Sequence, residues 1–576
     1  MHLFQNNMQI FLRNKRISIV ALLGLIGLGF YLSYRAYTFT MNWDVMLYLC
    51  NTQRCCLFFF VLTLYIAYEY IYCVKDNGIE ECVAAHKCGK LKLYGNLFCV
   101  LMLLPLLVFF VMTLFNYGIA FWGGHIDAPD YYAHIFLVNF LNAFLLGTLA
   151  SLLGAYLALK FKRLPAYSLM ALAIFIVSPV SDMIPGIATD SYGFNLWPAK
   201  WFFSKILPPN LTWVIDTQYG ISNETLRWNL MLFWIFLFLA VSVLAITGKR
   251  SKKRIITAAL AVILAAVNLY GYFQGGSEIT LGPYPDSISR YDKEYYQEHK
   301  QKEKPAMFTV ADYDMVFSIY RELEGKVKMK IGAPSPALTY DFTLYRGYVI
   351  SSVTGSSGEA LLYTRDGDYF TVTSDTPLTE ITVRYKGHSP TLFSNNQAVL
   401  LPGCFPYYPM AGFHRLSQES QGYLPVSNGF RSKYTVHVNS IRDVFSNLPK
   451  IGGQKKVFSG ESDVLTLMGG FLAEKEIDGY DICSLTVRGW GIANIDSSYI
   501  TSLQKAVIKE EEMQTSKKHL DLKQYKIFQT ETTFANFAEF GLTALFDDHI
   551  FIMGGDNEWI PEIAEMLVKE YNNAEN

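Results

Sequence analysis

The sequence predicts an α-helical polytopic membrane domain followed by an extracytoplasmic domain that is mainly β with an α+β end. Three observations predict this fold class. Seven long apolar runs occupy much of residues 17–273. The last run directly follows a basic cluster, GKRSKKR, at 248–254. From about residue 308 onward, apolar and polar residues alternate with a period of two, as in half-buried strands.

Composition agrees with a chain made of two unlike halves. The 576 residues have a mean hydropathy of +0.19 and are 15% aromatic, which is too apolar for an ordinary soluble protein. The formal net charge is −1, and no long basic or acidic tail occurs. These values exclude nucleic acid as an expected partner and favour the lipid bilayer.

Basic residues predict the orientation of the apolar runs. The runs lie at about 17–34, 55–74, 94–115, 132–159, 165–181, 228–247 and 255–273. Lys and Arg cluster before the first run and after the second, fourth and sixth. Because basic loops stay in the cytoplasm, we expect a multi-pass protein of the cell membrane with a cytoplasmic N-terminus. Arg35 and Arg54 are exceptions at the two ends of one outer loop, and we expect them to snorkel to the headgroups.

The seventh run marks the boundary between the two halves. Its nineteen residues, 255–273, carry no charge. At about 1.5 Å per residue they nearly match a hydrocarbon core of about 30 Å. Everything after Phe273 is therefore predicted to lie outside the cell.

Two features leave alternatives open. The outer loop 182–227 has four prolines among aromatic residues, so parts of it either dip into the outer leaflet or form a surface loop with aromatic anchors. Seven of the nine cysteines precede residue 100, and only Cys404 and Cys483 lie in the outer half. One disulfide between these two is left open, but a disulfide scaffold is excluded.

The inner loop after the second run, KDNGIEECVAAHKCGKLKLYGNL, is the most informative part of the first half. An acidic residue, a turn glycine, paired glutamates and a short amphipathic helix lead to basic residues and the third run. The loop resembles the cytoplasmic coupling region in permeases of type 2 ABC exporters. The matching positions are Asp76, Gly78, Glu80, Glu81 and Lys90, with Lys92 as the alternative to Lys90. Ile79 departs from the family's usual threonine.

This resemblance covers residues 1–247, which would form a six-span permease domain, and 248–273 would then be an added seventh helix. It implies that residues 76–92 dock an ATPase and that a second permease copy or paralogue completes the pathway. No G-x-x-x-x-G-K-[ST] phosphate loop occurs in the sequence. ATP would therefore be used by a separate partner subunit, and we expect no cofactor in this chain.

The outer half is predicted to begin with a polar linker at 274–307 that has no evident chemistry. A β-sandwich domain follows at 308–490, with alternating segments at 340–350, 380–385, 434–438 and 464–468. Residues 491–576 predict a helix near 497–515 opened by Asp496, strands near 523–530 and 548–553, and a helix near 558–571.

This order resembles the N-terminal part of the zinc aminopeptidase family that includes aminopeptidase N. Three segments carry the resemblance: 401–406 (LPGCFP), 538–542 (AEFGL) and 563–568 (IAEMLV). Glu539 would match a glutamate that binds a peptide's amino terminus. Ala564 and Val568 would replace the two histidines of H-E-x-x-H, and Glu565 would occupy the general-base position.

The resemblance implies a truncated peptidase module without catalytic or metal-binding residues, because neither Ala nor Val can ligate zinc. An ordinary amphipathic helix is the alternative interpretation of 558–571. We therefore expect a permease subunit whose outer domain binds cargo, such as a peptide, or a partner. The alternative is a membrane-anchored peptide sensor without transport, and an active membrane aminopeptidase ranks last.

Overall fold

The computed structural model describes residues 2–42, 45–84, 89–124, 128–208, 217–246, 252–277, 290–333, 335–418, 422–454, 456–487, 495–514, 519–530, 537 and 540–574. The chain divides into two compact units. A helical unit comprises Met1–Thr212 and Ile221–Gly275, and a β-rich unit comprises Trp213–Gly220 and Gly276–Asn576. A helical N-terminal region and a C-terminal β-rich region are thus confirmed.

The helices of the helical unit follow the apolar runs. They are α1 (His2–Arg13), α2 (Lys15–Asn42), α3 (Val45–Thr52), α4 (Cys55–Asp76), α5 (Ile79–Ala84), α6 (Gly89–Leu101), α7 (Leu103–Trp122), α8 (Pro129–Asn139), α9 (Leu146–Lys160), α10 (Arg163–Val177), α11 (Met183–Tyr192), α12 (Trp197–Ser204), α13 (Thr225–Ala245) and α14 (Lys252–Phe273). A π-helical segment, Phe140–Leu145, joins α8 to α9.

Six helical stretches among the described residues are long and apolar enough to cross a membrane. Two of them combine labelled elements: α6 with α7, and α8 with the π-helical segment and α9. The six stretches correspond to six of the seven predicted runs. The run at 165–181 differs, because α10 ends at Val177 and the chain bends by 63° into the following helices. Pro179 follows this break, as expected for a residue that cannot continue a helix. Counting the bent pair as one span gives seven.

Small residues let the central helices of this unit pack closely. A Cβ atom on Gly154 of α9 would lie 2.6 Å from the Leu64 carbonyl oxygen of α4. Glycine therefore permits backbone contact between α4 and α9. The helices α13 and α14 run antiparallel, since Arg254 near the start of α14 donates to the Val243 carbonyl near the end of α13, while Gly271 faces Asn229.

The strands of the β-rich unit are β1 (Val310–Ile319), β2 (Leu323–Ile331), β3 (Thr339–Thr343), β4 (Tyr348–Thr354), β5 (Leu362–Asp366), β6 (Tyr369–Thr373), β7 (Glu380–Gly387), β8 (Val399–Leu401), β9 (Met410–Ala411), β10 (Ser432–Ser440), β11 (Val444–Ser446), β12 (Val457–Ser462), β13 (Leu467–Gly469), β14 (Leu472–Ile477), β15 (Tyr480–Leu485), β16 (Lys526–Thr530), β17 (Thr543–Leu545) and β18 (His549–Met553). Its helices are α15 (Arg290–Glu298), α16 (Ser497–Gln514) and α17 (Ile560–Ala574).

These strands form four sheets. The largest has the order β12-β10-β1-β2-β7-β4, in which only β1 and β10 pair in parallel. The others are β5-β6-β3-β9, β11-β13-β8 and β14-β15-β16-β18-β17. Alternate residues of β2 are buried along its length, as the period-2 pattern predicts.

Two predicted strands were wrong in their extent. The segment 340–350 is broken into β3 and β4, which belong to different sheets. The chain turns at 345–347, where the N–H of Tyr348 donates to the Tyr345 carbonyl. The segment 464–468 contributes only the short strand β13. Alternation alone did not reveal either interruption.

In the C-terminal segment, the positions of the predicted helices and strands were right, but the residue at which the segment begins was not. The helices α16 and α17 and the strands β16 and β18 lie where the sequence predicts them. The Asp496 carboxylate accepts a 2.8 Å hydrogen bond from the N–H of Tyr499 and caps α16. However, β14 and β15, at 472–485, belong to this sheet, so it begins before the predicted boundary at residue 490.

The predicted linker contributes to the core of the β-rich unit. Asp292 of α15 is fully buried and accepts hydrogen bonds from the hydroxyl groups of Tyr345 (2.7 Å) and Tyr423. It also pairs with Arg346, whose guanidinium lies 3.9 Å from the ring centroid of Tyr295. This segment was expected to be an exposed helix or tether; α15 is a helix, but the exposure was wrong at Asp292, whose side chain is buried.

A second unpredicted part of this core comes from the loop before α13. Gln218 donates from Nε2 to the carbonyl oxygens of Val399 (2.8 Å) and Gly469 (3.0 Å). Tyr219 packs edge-on against Phe393, with 5.0 Å between ring centroids. Residues 217–220 therefore belong to the β-rich unit, and the chain returns to the helical unit before α13.

Candidate functional site

The loop after α4 contains the residues predicted to dock an ATPase. Gly78 has φ of +66°, a left-handed conformation that glycine adopts without strain. Its N–H donates to the Lys75 carbonyl (3.1 Å), and its carbonyl accepts from the N–H of Glu81 (2.9 Å). Gly78 therefore sets the turn that separates α4 from α5.

Glu80 and Lys90 lie together on the inner side of this loop. Lys90 Nζ lies 3.2 Å from Glu80 Oε1, and the Tyr94 hydroxyl donates to Glu80 Oε2 at 2.6 Å. The Lys90 side chain is only 20% exposed, and the Glu80 side chain is only 15% exposed. These contacts join α5 to α6, so Glu80 and Lys90 are engaged within the chain.

Asp76 and Glu81 have the opposite environment. Both are exposed, and their side chains form no hydrogen bond or ion pair with the part of the chain that the structure describes. Next to Asp76, Lys75 Nζ donates to the carbonyl oxygens of Ala158 (3.2 Å) and Leu159 (2.9 Å) at the end of α9. The loop thus presents two free carboxylates from a backbone attached to both α6 and α9.

A second polar cluster lies inside the helical unit, around the π-helical segment. Asn139 Oδ1 accepts from Gln53 Nε2 (3.0 Å) and from Asn116 Nδ2 (3.2 Å). Gln53 Oε1 in turn accepts from Asn142 Nδ2 (3.0 Å), and Asn142 Oδ1 accepts from Arg227 Nη2 (2.7 Å). All five side chains are at most 3% exposed. We call these five residues the amide cluster.

The amide cluster joins four parts of the fold. Its members come from the α3–α4 turn, from α7, from the α8–π junction and from α13. Each buried amide left without a partner would cost about 1–3 kcal/mol, so the cluster specifies how these helices pack. A π-helical turn widens the helix locally and is frequent at functional sites.

This cluster was not predicted, because the apolar runs were interpreted as uniformly apolar. Asn116 lies at the edge of the third run, and Asn139 and Asn142 lie three residues apart inside the fourth. Side chains at this spacing share one helical face. Amides on one face of an otherwise apolar run were the signal that could have found the site.

In the β-rich unit, three of the four predicted degenerate peptidase positions, Ala564, Glu565 and Val568, lie on α17. Ala564 and Val568 are buried in a core with residues of α16, β16 and β18. Glu565 points to the opposite side and is exposed. Glu539 lies outside the described residues. The helix therefore uses positions 564 and 568 for packing.

The segment 401–406 and the two cysteines of the outer half are buried as well. The segment 401–406 is buried throughout. Cys404 and Cys483 are both free thiols, and burial raises the pKa of each well above the usual range. Among the described residues, no group of three His, Cys, Asp or Glu side chains is arranged to hold a metal ion.

Three side chains in this unit, Thr466, His549 and Asp548, are arranged like the nucleophile, the base and the orienting acid of a catalytic triad. Thr466 Oγ1 lies 3.0 Å from His549 Nε2, and His549 Nδ1 lies 2.6 Å from Asp548 Oδ1. Burial alone would raise the pKa of Asp548, but hydrogen bonds from His549, Ser462 and Asn447 lower it below its usual value.

This arrangement does not have the access that a catalytic triad needs. Thr466 and His549 are fully buried, and the imidazole stacks on Phe546 with 4.6 Å between ring centroids. Thr466 Oγ1 also accepts from the N–H of Gly403 at 2.9 Å. Because no substrate reaches a hydroxyl in this environment, the three side chains hold β13, β18 and the 401–406 segment together.

Comparisons with known proteins return structural neighbours only. No protein-family model and no curated protein matches the sequence. A structure of yeast LTA4 hydrolase with bestatin matches with 9% identity and a TM-score of 0.30, covering 44% of this chain and 42% of that one. An M1 zinc metallopeptidase from Deinococcus radiodurans matches with 13% identity and a TM-score of 0.30, covering 44% of this chain and 62% of that one. The chain thus spans less than two thirds of either neighbour.

Proposed function

We propose that this chain is the permease subunit of an ABC-type exporter whose ATPase is a separate polypeptide. In this proposal the helical unit is inserted in the cell membrane with a cytoplasmic N-terminus, and the β-rich unit lies outside the cell. The observation that carries the proposal is the loop at 76–92. It holds a short helix, α5, in a fixed position and leaves Asp76 and Glu81 exposed.

The contacts of this loop suit a docking element. Because the backbone of this loop is already held, binding of a basic partner would cost conformational entropy mainly in the carboxylate side chains. Glu80 attaches α5 to α6, and Lys75 attaches the end of α4 to α9. A displacement of α5 by the ATPase would therefore act on three helices of the permease at once.

The amide cluster supports a transport pathway within the same unit. Polar and ionisable side chains are costly inside a bilayer and commonly mark substrate routes. In the structure the cluster's amide groups and the Arg227 guanidinium bind one another, so cargo would have to exchange for these internal hydrogen bonds. These groups suit cargo that carries carboxylate or peptide groups. We propose that a second permease copy or paralogue completes the route.

For the β-rich unit we propose binding of cargo or of a partner, without peptide hydrolysis. Ala564 and Val568 pack in the core and lack metal-binding atoms. A lone glutamate at position 565 would have no metal-activated water to act on. A peptide is the proposed cargo, by analogy with the peptidase resemblance alone.

The test is to purify the full chain from its own cells in a mild detergent and to measure ATP hydrolysis by the co-purified complex. Glu81→Ala should lower the co-purified activity about tenfold or more, because a close charge pair at an interface contributes roughly 1.5 kcal/mol or more. Glu565→Ala removes an equally exposed glutamate from α17 and should leave the activity unchanged. Equal activity in both variants would contradict the docking role.

A further inference from the structure

A groove on the helical unit lies between α2, α4 and α7. It has a volume of about 360 Å³, more than twice the roughly 150 Å³ of a buried apolar cavity that takes up benzene. Its walls are apolar and include Gly24, Gly27, Leu62 and Val108. The groove therefore has the size and the surface for a hydrocarbon chain rather than for water.

Polar groups occur at one end of this groove. Arg54, at the start of α4, and Tyr31, on α2, both contribute to its lining. Arg35, one turn further along α2, lies close enough to Tyr31 to interact with it electrostatically, as does Arg54. Of the two arginines that departed from the predicted charge pattern, Arg54 therefore lines the groove, whereas Arg35 does not line it but lies near Tyr31 at the same end.

Both guanidinium groups have hydrogen-bonding capacity to spare. Arg54 is exposed, and its side chain makes no hydrogen bond or ion pair within the described ranges. Arg35 lies over the Tyr48 ring at 5.3 Å, and its Nε–H is buried without an acceptor among the described residues. The segment 35–54 contains one acidic residue, Asp44, so its formal charge is +1.

We propose that this groove binds one acyl chain of an anionic phospholipid, with the phosphate held by Arg35 and Arg54. Guanidinium groups bind phosphate oxygens through strong charge-assisted hydrogen bonds. Snorkelling arginines at the end of a membrane helix reach the depth of the headgroups. The proposal depends on the membrane insertion within the proposed function, and it is independent of ATPase docking.

A second copy of the chain is a less suitable occupant. In a two-fold symmetric contact the same patch faces itself, which would bring the arginines of both copies together. Two concave surfaces would also leave the groove unfilled. An anionic lipid supplies both the opposite charge and the missing hydrocarbon.

Two glycines of α2 provide a matched pair of variants. Gly27 lines the groove, and a Cβ atom there would meet no atom within 4 Å. Gly29 lies on the same helix, is equally exposed and equally free of neighbours, but does not line the groove. Gly27→Leu should fill the groove, whereas Gly29→Leu should leave it open. At both positions an added Cβ atom has open space.

The experiment measures lipid binding to the purified full chain by native mass spectrometry, with dioleoyl phosphatidylglycerol and dioleoyl phosphatidylcholine as probes. The unmodified chain should bind one phosphatidylglycerol about tenfold more tightly than phosphatidylcholine. Arg35→Gln combined with Arg54→Gln should abolish this preference. Gly27→Leu should weaken binding of both lipids at least tenfold, and Gly29→Leu should match the unmodified chain.

Three results would overturn the proposal. The first is equal binding of the two lipids by the unmodified chain. The second is equal lipid binding by the two glycine variants. The third is a dimer of the chain that Gly27→Leu dissociates and that added lipid does not affect, since a second copy would then occupy the groove. Flotation of the chain with liposomes tests membrane insertion separately, so failure of insertion is distinguishable from failure of lipid recognition.

Discussion

Replacing Gln218 tests the most unexpected feature of the fold, the packing of residues 217–220 into the β-rich unit. The Gln218 side chain is 1% exposed. Gln218→Ala removes two hydrogen bonds, of 2.8 and 3.0 Å, to the carbonyl oxygens of Val399 and Gly469. At about 1 kcal/mol for each hydrogen bond and about 1 kcal/mol for the cavity, the β-rich unit should lose roughly 3 kcal/mol of stability.

The assay is thermal unfolding of the full chain in detergent, measured by differential scanning fluorimetry. For a unit of about 300 residues, about 3 kcal/mol corresponds to a decrease of roughly 5 °C in its Tm. Gln218→Leu, which keeps much of the volume, should show about two thirds of the effect.

Gln454→Ala is the control, because Gln454 is exposed in a turn of the same unit. Surface changes of this kind are usually within about 0.5 kcal/mol of neutral. If Gln218→Ala unfolds at the same temperature as Gln454→Ala, the loop before α13 is not part of the β-rich core.

Three further predictions concern the amide cluster, a buried carboxyl group and the topology. Asn139→Ala removes the acceptor for Gln53 and Asn116 and should destabilise the helical unit by about 1–2 kcal/mol, less than in a soluble core, since polar groups in unfolded membrane helices also find partners; an unchanged Tm would contradict this. Burial raises the pKa of Glu570 to about 7, although the N–H of Leu545 partly opposes the shift. The folded chain therefore binds the extra proton between pH 4.5 and 7, and stability should fall as pH rises through this window. At about 1.4 kcal/mol per pH unit, Glu570→Gln should be more stable than the unmodified chain by up to about 3 kcal/mol at pH 8 and equally stable near pH 4, and a difference that is constant with pH would refute the assignment. A phosphatase reporter should be active outside the cell when it is fused after Asn576 and inactive when it is fused after Lys252, and equal signals would refute the proposed topology.

The sequence predicted those elements that have a strong local signal. The apolar runs were predictable as helices because each run is continuously apolar over about twenty residues. Asp496 predicted the start of α16 because a carboxylate accepts hydrogen bonds from the first free N–H groups of a helix. The period of the pattern also distinguished the helical region from the β-rich region.

The features that the sequence did not predict depend on contacts between distant residues. Gln218 bonds with residues about 180 and 250 positions away, and a short segment such as 217–220 has no periodicity that would reveal this. Asp292 lies in a polar stretch typical of a linker, but its partner Arg346 is more than fifty residues away. Burial of these polar side chains is decided by their distant partners.

At the candidate docking site, too, the local sequence pattern was predictable, whereas the contacts between separate helices were not. The order of an acidic residue, a glycine and paired glutamates was readable from the sequence. Which of the glutamates remains free was not, because Glu80 is engaged by Lys90 and Tyr94 on the following helix. Among the five positions for which docking is proposed, the structure leaves two carboxylates exposed, those of Asp76 and Glu81, and Gly78 shapes the turn.

The central claim is that an ATPase docks at this loop, and site-specific photocrosslinking in intact cells tests it most directly. A photo-reactive amino acid at position 81 should crosslink the chain to one ATP-binding protein, whereas the same probe at position 565 on α17 should not. Crosslinking at position 81 to lipid alone, or to no ATP-binding protein, would contradict the claim that the chain is a permease subunit.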